Sequence, residues 1–165
     1  MRNKKVLFIT QGAVIAAVYV VMTWLTNLMG LASGVVQVRL SEALTVLPAF
    51  TPAAIPGLFI GCIISNTITG AVIWDIVFGS LATLIGAIFT YWLREKNRWL
   101  APLPPIIANT VIVPFVLVYA YGVPDALWFV FLTVFAGEVI SCGFVGMCLY
   151  HGIDNKACRR LMAGE

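Results

Sequence analysis

One acidic residue lies deep inside a long apolar stretch of the chain. Glu138 stands about 20 Å along the run 125–150 if that run is a helix. A carboxylate near the centre of a bilayer costs at least about 2.5 to 3.5 kcal/mol, so its side chain should face protein or water. Two interpretations are open: a ligand or proton site, or a protonated or paired acid that holds helices together. Asn109, in the preceding apolar run, reaches a comparable depth and could bind a ligand or join two helices by a hydrogen bond.

A second group of polar residues lies near the ends of the other apolar runs. Its members are Asn27, Arg39, Glu42, Asn66 and Asp75. Arg39 and Glu42 are three residues apart and could form an exposed ion pair, which would contribute under about 1 kcal/mol. Loops this short seldom carry so many polar groups, so we expect at least two of the five to contact a ligand.

Aromatic residues and charge narrow the chemistry of that ligand. Trp24 and Trp74 lie near the ends of apolar runs, where they could form an interface belt or stack on a planar ligand. In this part of the chain acidic residues outnumber the one basic residue, Arg39. The pattern therefore favours a neutral or cationic ligand with N–H donors, for which two parallel donors could make a bidentate contact with a carboxylate.

The motifs of common enzyme classes are absent from the sequence. There is no phosphate-binding G-x-x-x-x-G-K-[ST], no H-E-x-x-H, no G-x-S-x-G and no C-x-x-C. The single histidine, His151, lies in the basic tail, and the four cysteines are expected to pack without a role. We expect no metal site, and an intramembrane enzyme is disfavoured.

The composition requires these residues to be positioned by membrane helices. Of 165 residues, 61% are hydrophobic and 10% charged, whereas soluble domains have about 25% charged residues. The net charge of +3 comes from three short basic clusters rather than a continuous stripe, which disfavours nucleic acid as a partner. We predict one all-α integral membrane domain over residues 1–165.

Six apolar runs divide the chain into the helices of a predicted six-helix bundle. They are 6–31, 41–50, 51–70, 74–93, 100–121 and 125–150. The second would be about 15 Å long as an α-helix, too short to span alone. However, the basic clusters at the N-terminus and at Arg94, Lys96 and Arg98 should share the cytoplasmic side, which requires an even number of crossings between them. The sequence therefore predicts six helices with a short second helix and both termini cytoplasmic.

Small residues recur on the first helix. Ala13 and Ala17 form an A-x-x-x-A pair, and Gly12 with Ala16 repeats the spacing one position earlier. Such pairs allow another helix to approach closely, either within the chain or from a partner.

Several segments taken together resemble the QueT family. They are Val36–Pro48, Ile55–Cys62 followed by Asn66, Asp75–Leu84, Ile107-Ala108-Asn109 and Gly137-Glu138. Members of this family are proposed queuosine-precursor transporters that act as the substrate-binding S components of energy-coupling factor (ECF) transporters.

The resemblance implies a prokaryotic plasma-membrane protein that captures a 7-deazaguanine, such as preQ0, preQ1 or queuine, from outside. A transmembrane coupling protein and two ATPase subunits would supply the energy, so this chain would hold no cofactor of its own. Ala13 and Ala17 match the small-residue pattern with which S components contact the coupling protein.

The resemblance also suggests roles in the site. Glu138 would accept the ring N–H and exocyclic amine of the base, Asn109 would read its carbonyl side, and Trp24 or Trp74 would stack on it. The residues that would build or close the entrance are Arg39, Glu42, Asn66 and Asp75. The alternative is a secondary transporter that uses Glu138 as a proton relay without any ATPase.

Overall fold

The protein is a bundle of six helices, numbered here in chain order. The structure is a computed structural model that describes residues 3–32 and 36–155. The helices are helix 1 (Lys4–Leu28), helix 2 (Leu40–Ala49), helix 3 (Ala54–Ile68), helix 4 (Ile73–Leu93), helix 5 (Leu103–Tyr119) and helix 6 (Leu127–Ile153). No strand occurs within the described residues, so the predicted all-α fold with six helices is confirmed.

Length and composition make four of these helices candidates to cross a membrane. Helices 1, 4 and 6 qualify, as does helix 5 together with the short turn of helix that precedes it from Arg98. Helices 2 and 3 are apolar but shorter. The third basic cluster of the sequence, Lys156, Arg159 and Arg160, would also lie in the cytoplasm after six crossings, but it lies outside the described residues. The predicted cytoplasmic location of both termini therefore stays a prediction.

Helix 2 lies in the centre of the bundle, in contact with helices 1, 3, 4 and 6. Its residues from Ser41 to Pro48 are all buried. The expectation of a short α-helix is wrong in one respect, because the segment is a 3₁₀ helix. Pro48 has no N–H to donate back into the helix, and the Thr45 hydroxyl donates to the Glu42 carbonyl at 2.5 Å, so neither group supports an α-helical ladder.

Helix 6 also departs from α geometry, directly after Glu138. A π-helical segment, Val139–Val145, separates the α-helical parts Leu127–Glu138 and Gly146–Ile153. This segment packs against helix 2. Irregular helical turns of this kind are frequent at functional sites, and here one follows Glu138, the acid in the middle of the last apolar run.

Glycines set the closest helix contacts. A Cβ on Gly57 of helix 3 would lie 2.7 Å from the Gly12 carbonyl oxygen, and one on Gly61 would lie 2.9 Å from Tyr19 Cβ. Helices 1 and 3 therefore approach at a distance that only glycine permits. This contact fixes Tyr19 facing the interior of the bundle.

Helix 3 begins later than its sequence suggests. Thr51 and Pro52 have the pattern of an N-cap followed by the first helical residue, but the helix starts at Ala54. Instead, the Thr51 hydroxyl donates to Gln11 Oε1 at 2.9 Å and accepts a long hydrogen bond from the Ala53 N–H at 3.4 Å. Thr51 thus joins the start of helix 3 to helix 1.

Candidate functional site

Two acids from different helices meet in the centre of the bundle. Glu42 from helix 2 is 2% exposed, Glu138 from helix 6 is 8% exposed, and Asn109 from helix 5 is 3% exposed. They line a small cavity, here called the acid pocket, whose walls are Gln37, Arg39, Glu42, Gly79, Thr83, Asn109, Val113, Val134 and Glu138. The sequence placed Glu138 and Asn109 at comparable depth, and the structure brings both to this one cavity.

The two acids have different hydrogen-bond environments. Glu42 accepts from the Tyr19 hydroxyl on Oε1 and from Asn109 Nδ2 on Oε2, the latter at 3.3 Å. Glu138 Oε2 accepts from the Cys142 thiol at 3.2 Å, and a thiol is a weak donor. Helices 1 and 5 thus hold Glu42 in place, whereas Glu138 keeps more of its capacity to accept hydrogen bonds.

Cys142 joins the two acids. Its thiol donates to the Glu42 carbonyl at 3.4 Å as well as to Glu138, and it lies 3.4 Å from the Thr45 hydroxyl. The carboxylate oxygens and the sulfur lie within 4.8 Å of one another, a spacing that a metal ion could also use. A cysteine must lose its proton to bind a metal, and the single thiol hydrogen of Cys142 can be donated to one of these oxygens at a time. The absence of a metal site stays a prediction.

A larger cavity, here called the vestibule, opens at the end of the bundle where helix 1 finishes. Its volume is about 300 Å³. The polar residues that line it are Thr23, Thr26, Asn27, Gln37, Arg39, Asn66, Thr69, Asp75 and Tyr121. Four members of the second polar group predicted from sequence therefore come together here, and the fifth, Glu42, lies in the acid pocket instead.

Asp75 is the acid of the vestibule. It is 4% exposed, its Oδ2 accepts from the Tyr121 hydroxyl at 3.0 Å, and the same oxygen lies 3.8 Å from Arg39 Nη2. Burial, followed by the neighbouring Asp75 carboxylate, raises the pKa of the Tyr121 hydroxyl, so this group stays protonated and donates. Asn66 Nδ2 donates to the Asp75 carbonyl at 3.5 Å. The vestibule acid is thus anchored on one side by a phenol and a guanidinium.

Arg39 and Glu42 do not form the exposed ion pair that their spacing allowed. The ion pair that Arg39 makes among the described residues is with Asp75, while Glu42 points into the bundle. Arg39 precedes the first residue of helix 2, and its backbone N–H donates to Ser141 Oγ at 3.1 Å. Helix 6 therefore holds the Arg39 backbone, and its side chain extends to helix 4.

The structure does not bring Trp24 or Trp74 to either cavity. Trp24 is 51% exposed and Trp74 is 58% exposed, and the Trp74 ring stacks on Phe78 with centroids 6.0 Å apart. Both rings lie on the outer surface of the bundle, as an interface belt requires. The aromatic groups that reach the cavities are Tyr121, in the vestibule, and Tyr19, beside Glu42.

The two small-residue pairs of helix 1 differ in what they contact, although both border the same groove. Gly12 and Ala16 pack against Gly57 and Gly61 of helix 3, so they serve the internal contact. Ala13 and Ala17 are exposed and line an apolar surface groove of about 690 Å³ between helices 1 and 3. Ala13 and Ala17 are thus left available to a partner.

Sequence reasoning missed Tyr19, Gln37 and Cys142. A phenol hydroxyl in the middle of an apolar helix needs a partner, so the position of Tyr19 was a usable signal for a buried acceptor. Gln37 precedes helix 2 and lines both cavities, and nothing in its sequence surroundings marks it. Cys142 follows Glu138 by one helical turn, but an apolar context is typical of inert thiols.

The fold and these cavities define an all-helical membrane protein with an acidic, nearly enclosed polar centre. The family model of the QueT transporter matches residues 9–155, so the chain belongs to that family and the resemblance seen in the sequence is confirmed. The queuosine precursor transporter QueT of Lactococcus lactis subsp. cremoris (strain MG1363) is 34% identical over 103 residues, which are 60% of this chain and 60% of that protein. No solved structure matches the chain.

Proposed function

We propose that this chain is the substrate-binding S component of an ECF transporter and that it captures a 7-deazaguanine, such as preQ0, preQ1 or queuine. The observation that carries the proposal is the pair of buried acids, Glu42 and Glu138, beside the Asn109 amide. The printed name of the Lactococcus relative supports a queuosine precursor as cargo.

The donor and acceptor pattern of the acid pocket suits such a base. A 7-deazaguanine presents a ring N–H beside an exocyclic amine, two parallel donors that one carboxylate can accept together. Glu138 is the better candidate for that carboxylate, because the Cys142 thiol that donates to it is a weak donor and leaves it able to accept further hydrogen bonds. Asn109 Nδ2 has two hydrogens. One bonds Glu42. The amide also interacts with Glu138, so it would turn its second hydrogen from Glu138 to the ring carbonyl when the base binds.

The charge of the buried site favours a neutral or cationic cargo. Among the residues that the structure describes, Arg39 is the one basic residue that lines the two cavities, and Glu42, Glu138 and Asp75 are the acids. A phosphate or carboxylate ligand would enter a region in which acidic side chains outnumber the one basic side chain, and every ionised acid there would repel it. The aminomethyl cation of preQ1 would be attracted to the same region.

Energy would come from other subunits. The sequence has no phosphate-binding loop, so ATP would be used by two partner ATPases through a transmembrane coupling protein. The exposed Ala13 and Ala17 in an apolar groove support a contact of helix 1 with that coupling protein. The cargo would be taken up across the plasma membrane of a prokaryote, in which this chain is a multi-pass protein.

Uptake of a labelled 7-deazaguanine tests the proposal. Cells that lack their own uptake route would express the chain with and without the coupling protein and ATPases, and with and without a protonophore. We expect uptake to require the partner subunits and to survive the protonophore. Uptake that persists without the partners and collapses with the proton gradient would instead show the secondary transporter.

A further inference from the structure

We infer that the vestibule is a separate first binding position, in which Asp75 Oδ1 accepts a hydrogen bond from an N–H of the incoming base before the base reaches the acid pocket. This inference rests on the proposed function for the nature of the ligand. It adds a second binding position to that function and an order of binding, in which the vestibule comes before the acid pocket.

Asp75 Oδ1 is an unpaired acceptor beside the vestibule. The oxygen is buried and has no hydrogen-bond donor in the part of the chain that the structure describes, whereas Oδ2 of the same carboxylate has Tyr121 and Arg39. A carboxylate oxygen left without a donor in a buried place is unfavourable. A ligand N–H that enters from the vestibule would supply the missing donor once the side chains that cover Oδ1 move aside.

Asp75 Oδ1 lies on the side of the vestibule that is nearest to the acid pocket. A Cβ added to Gly79, one helical turn further along helix 4, would lie 3.1 Å from Asp75 Oδ1 and 3.4 Å from Asn66 Nδ2. Gly79 lines the acid pocket, and Asp75 lines the vestibule. The unpaired oxygen therefore lies on the side of Asp75 that faces the acid pocket, between the two cavities.

The volumes of the cavities set the order of binding. The vestibule, with about 300 Å³, can admit a small planar base. The acid pocket, with about 20 Å³, has room for one water molecule at most. In this conformation the base can enter the vestibule but not the acid pocket.

Gln37 and Arg39 form the wall between the two cavities, because both residues line each of them. The Gln37 carbonyl lies so close to Gly137 of helix 6 that a Cβ there would clash with it. Arg39 is held by Ser141 and Asp75. Transfer of the base into the acid pocket must displace this wall, which predicts a second, unimolecular step after capture.

Stopped-flow fluorescence with preQ1 and preQ0 and the purified full chain tests the two steps. We expect one phase whose rate rises with ligand concentration and a slower phase whose rate levels off. Asp75→Asn should raise the ligand concentration that gives half-saturated binding about tenfold. An Asn that keeps its oxygen toward Tyr121 turns its NH₂ toward the ligand, where it faces the ligand N–H as a second donor. Asp125→Asn, the same change at an exposed loop acid, is the matched control and should leave both phases unchanged.

Gly137→Ala provides a second variant that does not touch Asp75. Its Cβ would push the Gln37 backbone away from helix 6, so we expect the slow phase to change at least fivefold while the fast phase stays within twofold of the wild type. A single phase altered alike by Asp75→Asn and Glu138→Gln would overturn the inference. So would an unchanged half-saturation concentration in Asp75→Asn. If equilibrium titration finds no deazaguanine binding at all, the proposed function itself fails. Tight binding in a single step would instead reject only the separate binding position in the vestibule.

Discussion

Replacing Glu138 by Gln removes the carboxyl group from the acid pocket with little change of shape. The Gln side-chain oxygen can still accept the hydrogen bond that the Cys142 thiol now gives to Glu138, so the bundle should fold. The bound base, however, would lose a carboxylate that accepts two donors at once, and the Gln NH₂ would face one of those donors. The variant therefore separates binding from folding.

The size of the effect follows from the burial of the pocket. Glu138 is 8% exposed, so water cannot replace the lost acceptor. A hydrogen bond to a charged group contributes about 1.5 to 3 kcal/mol, and each 1.4 kcal/mol is about tenfold in affinity. We expect Glu138→Gln to weaken binding of preQ1 or preQ0 by about 2 kcal/mol or more, which is about 30-fold.

Isothermal titration of the purified variant measures this change. Glu95→Gln, at an exposed acid that pairs with Arg94 on the surface, is the matched control and should bind like the wild type. A thermal unfolding curve shows whether Glu138→Gln is folded. A folded Glu138→Gln protein with an affinity within twofold of the wild type would refute the assignment of Glu138 as the ligand carboxylate.

Three further predictions concern the partner surface, the packing and the orientation. Ala13→Trp and Ala17→Trp should keep ligand binding but lose co-purification with the coupling protein, since both side chains are exposed in the helix 1 groove; normal complex yield from both variants would contradict this. Gly61→Val should lower the unfolding temperature, because even one Cβ would lie 2.9 Å from Tyr19 Cβ and overpacking costs about 1 to 3 kcal/mol; an unchanged melting curve would show that helices 1 and 3 pack differently. A reporter active only in the cytoplasm, fused to the C-terminus, should be active, and a reporter signal from the outside would reverse the predicted topology.

The bundle itself could be predicted from apolar runs and breaks. Proline and glycine clusters separate the runs, and each run became one helix within a few residues. The depth of Glu138 and Asn109 also followed from counting along helices that run in opposite directions. Helix geometry was the part that could not be predicted, because the 3₁₀ form of helix 2 and the π segment of helix 6 depend on how the two elements pack.

That geometry explains the error at Glu42. Three residues of spacing suggested a pair with Arg39 on one α-helical face. In the structure Arg39 lies outside helix 2, so its side chain is free to extend to Asp75, while Glu42 is carried inward to meet Tyr19 and Asn109. Contacts between residues this far apart in the chain leave no local pattern.

Trp24 and Trp74 show a second reason why the site could not be predicted in full from the sequence. An aromatic residue near the end of a membrane helix has the same sequence surroundings whether it faces lipid or a ligand. Trp24 and Trp74 face outward. The inward positions of helix 4 are held by small and polar residues, whereas those of helix 1 include Ile15 and Tyr19. Only the rotation of each helix within the bundle distinguishes the two cases.

The central claim is that the buried acids bind a 7-deazaguanine. Titration of the purified chain with preQ0, preQ1, queuine and an unrelated vitamin, beside the Glu138→Gln variant, tests it most directly. We expect one-to-one binding of at least one deazaguanine, no binding of the vitamin, and a loss of about 30-fold in the variant. Binding of the vitamin alone, or deazaguanine binding that is the same in the variant, would contradict the claim.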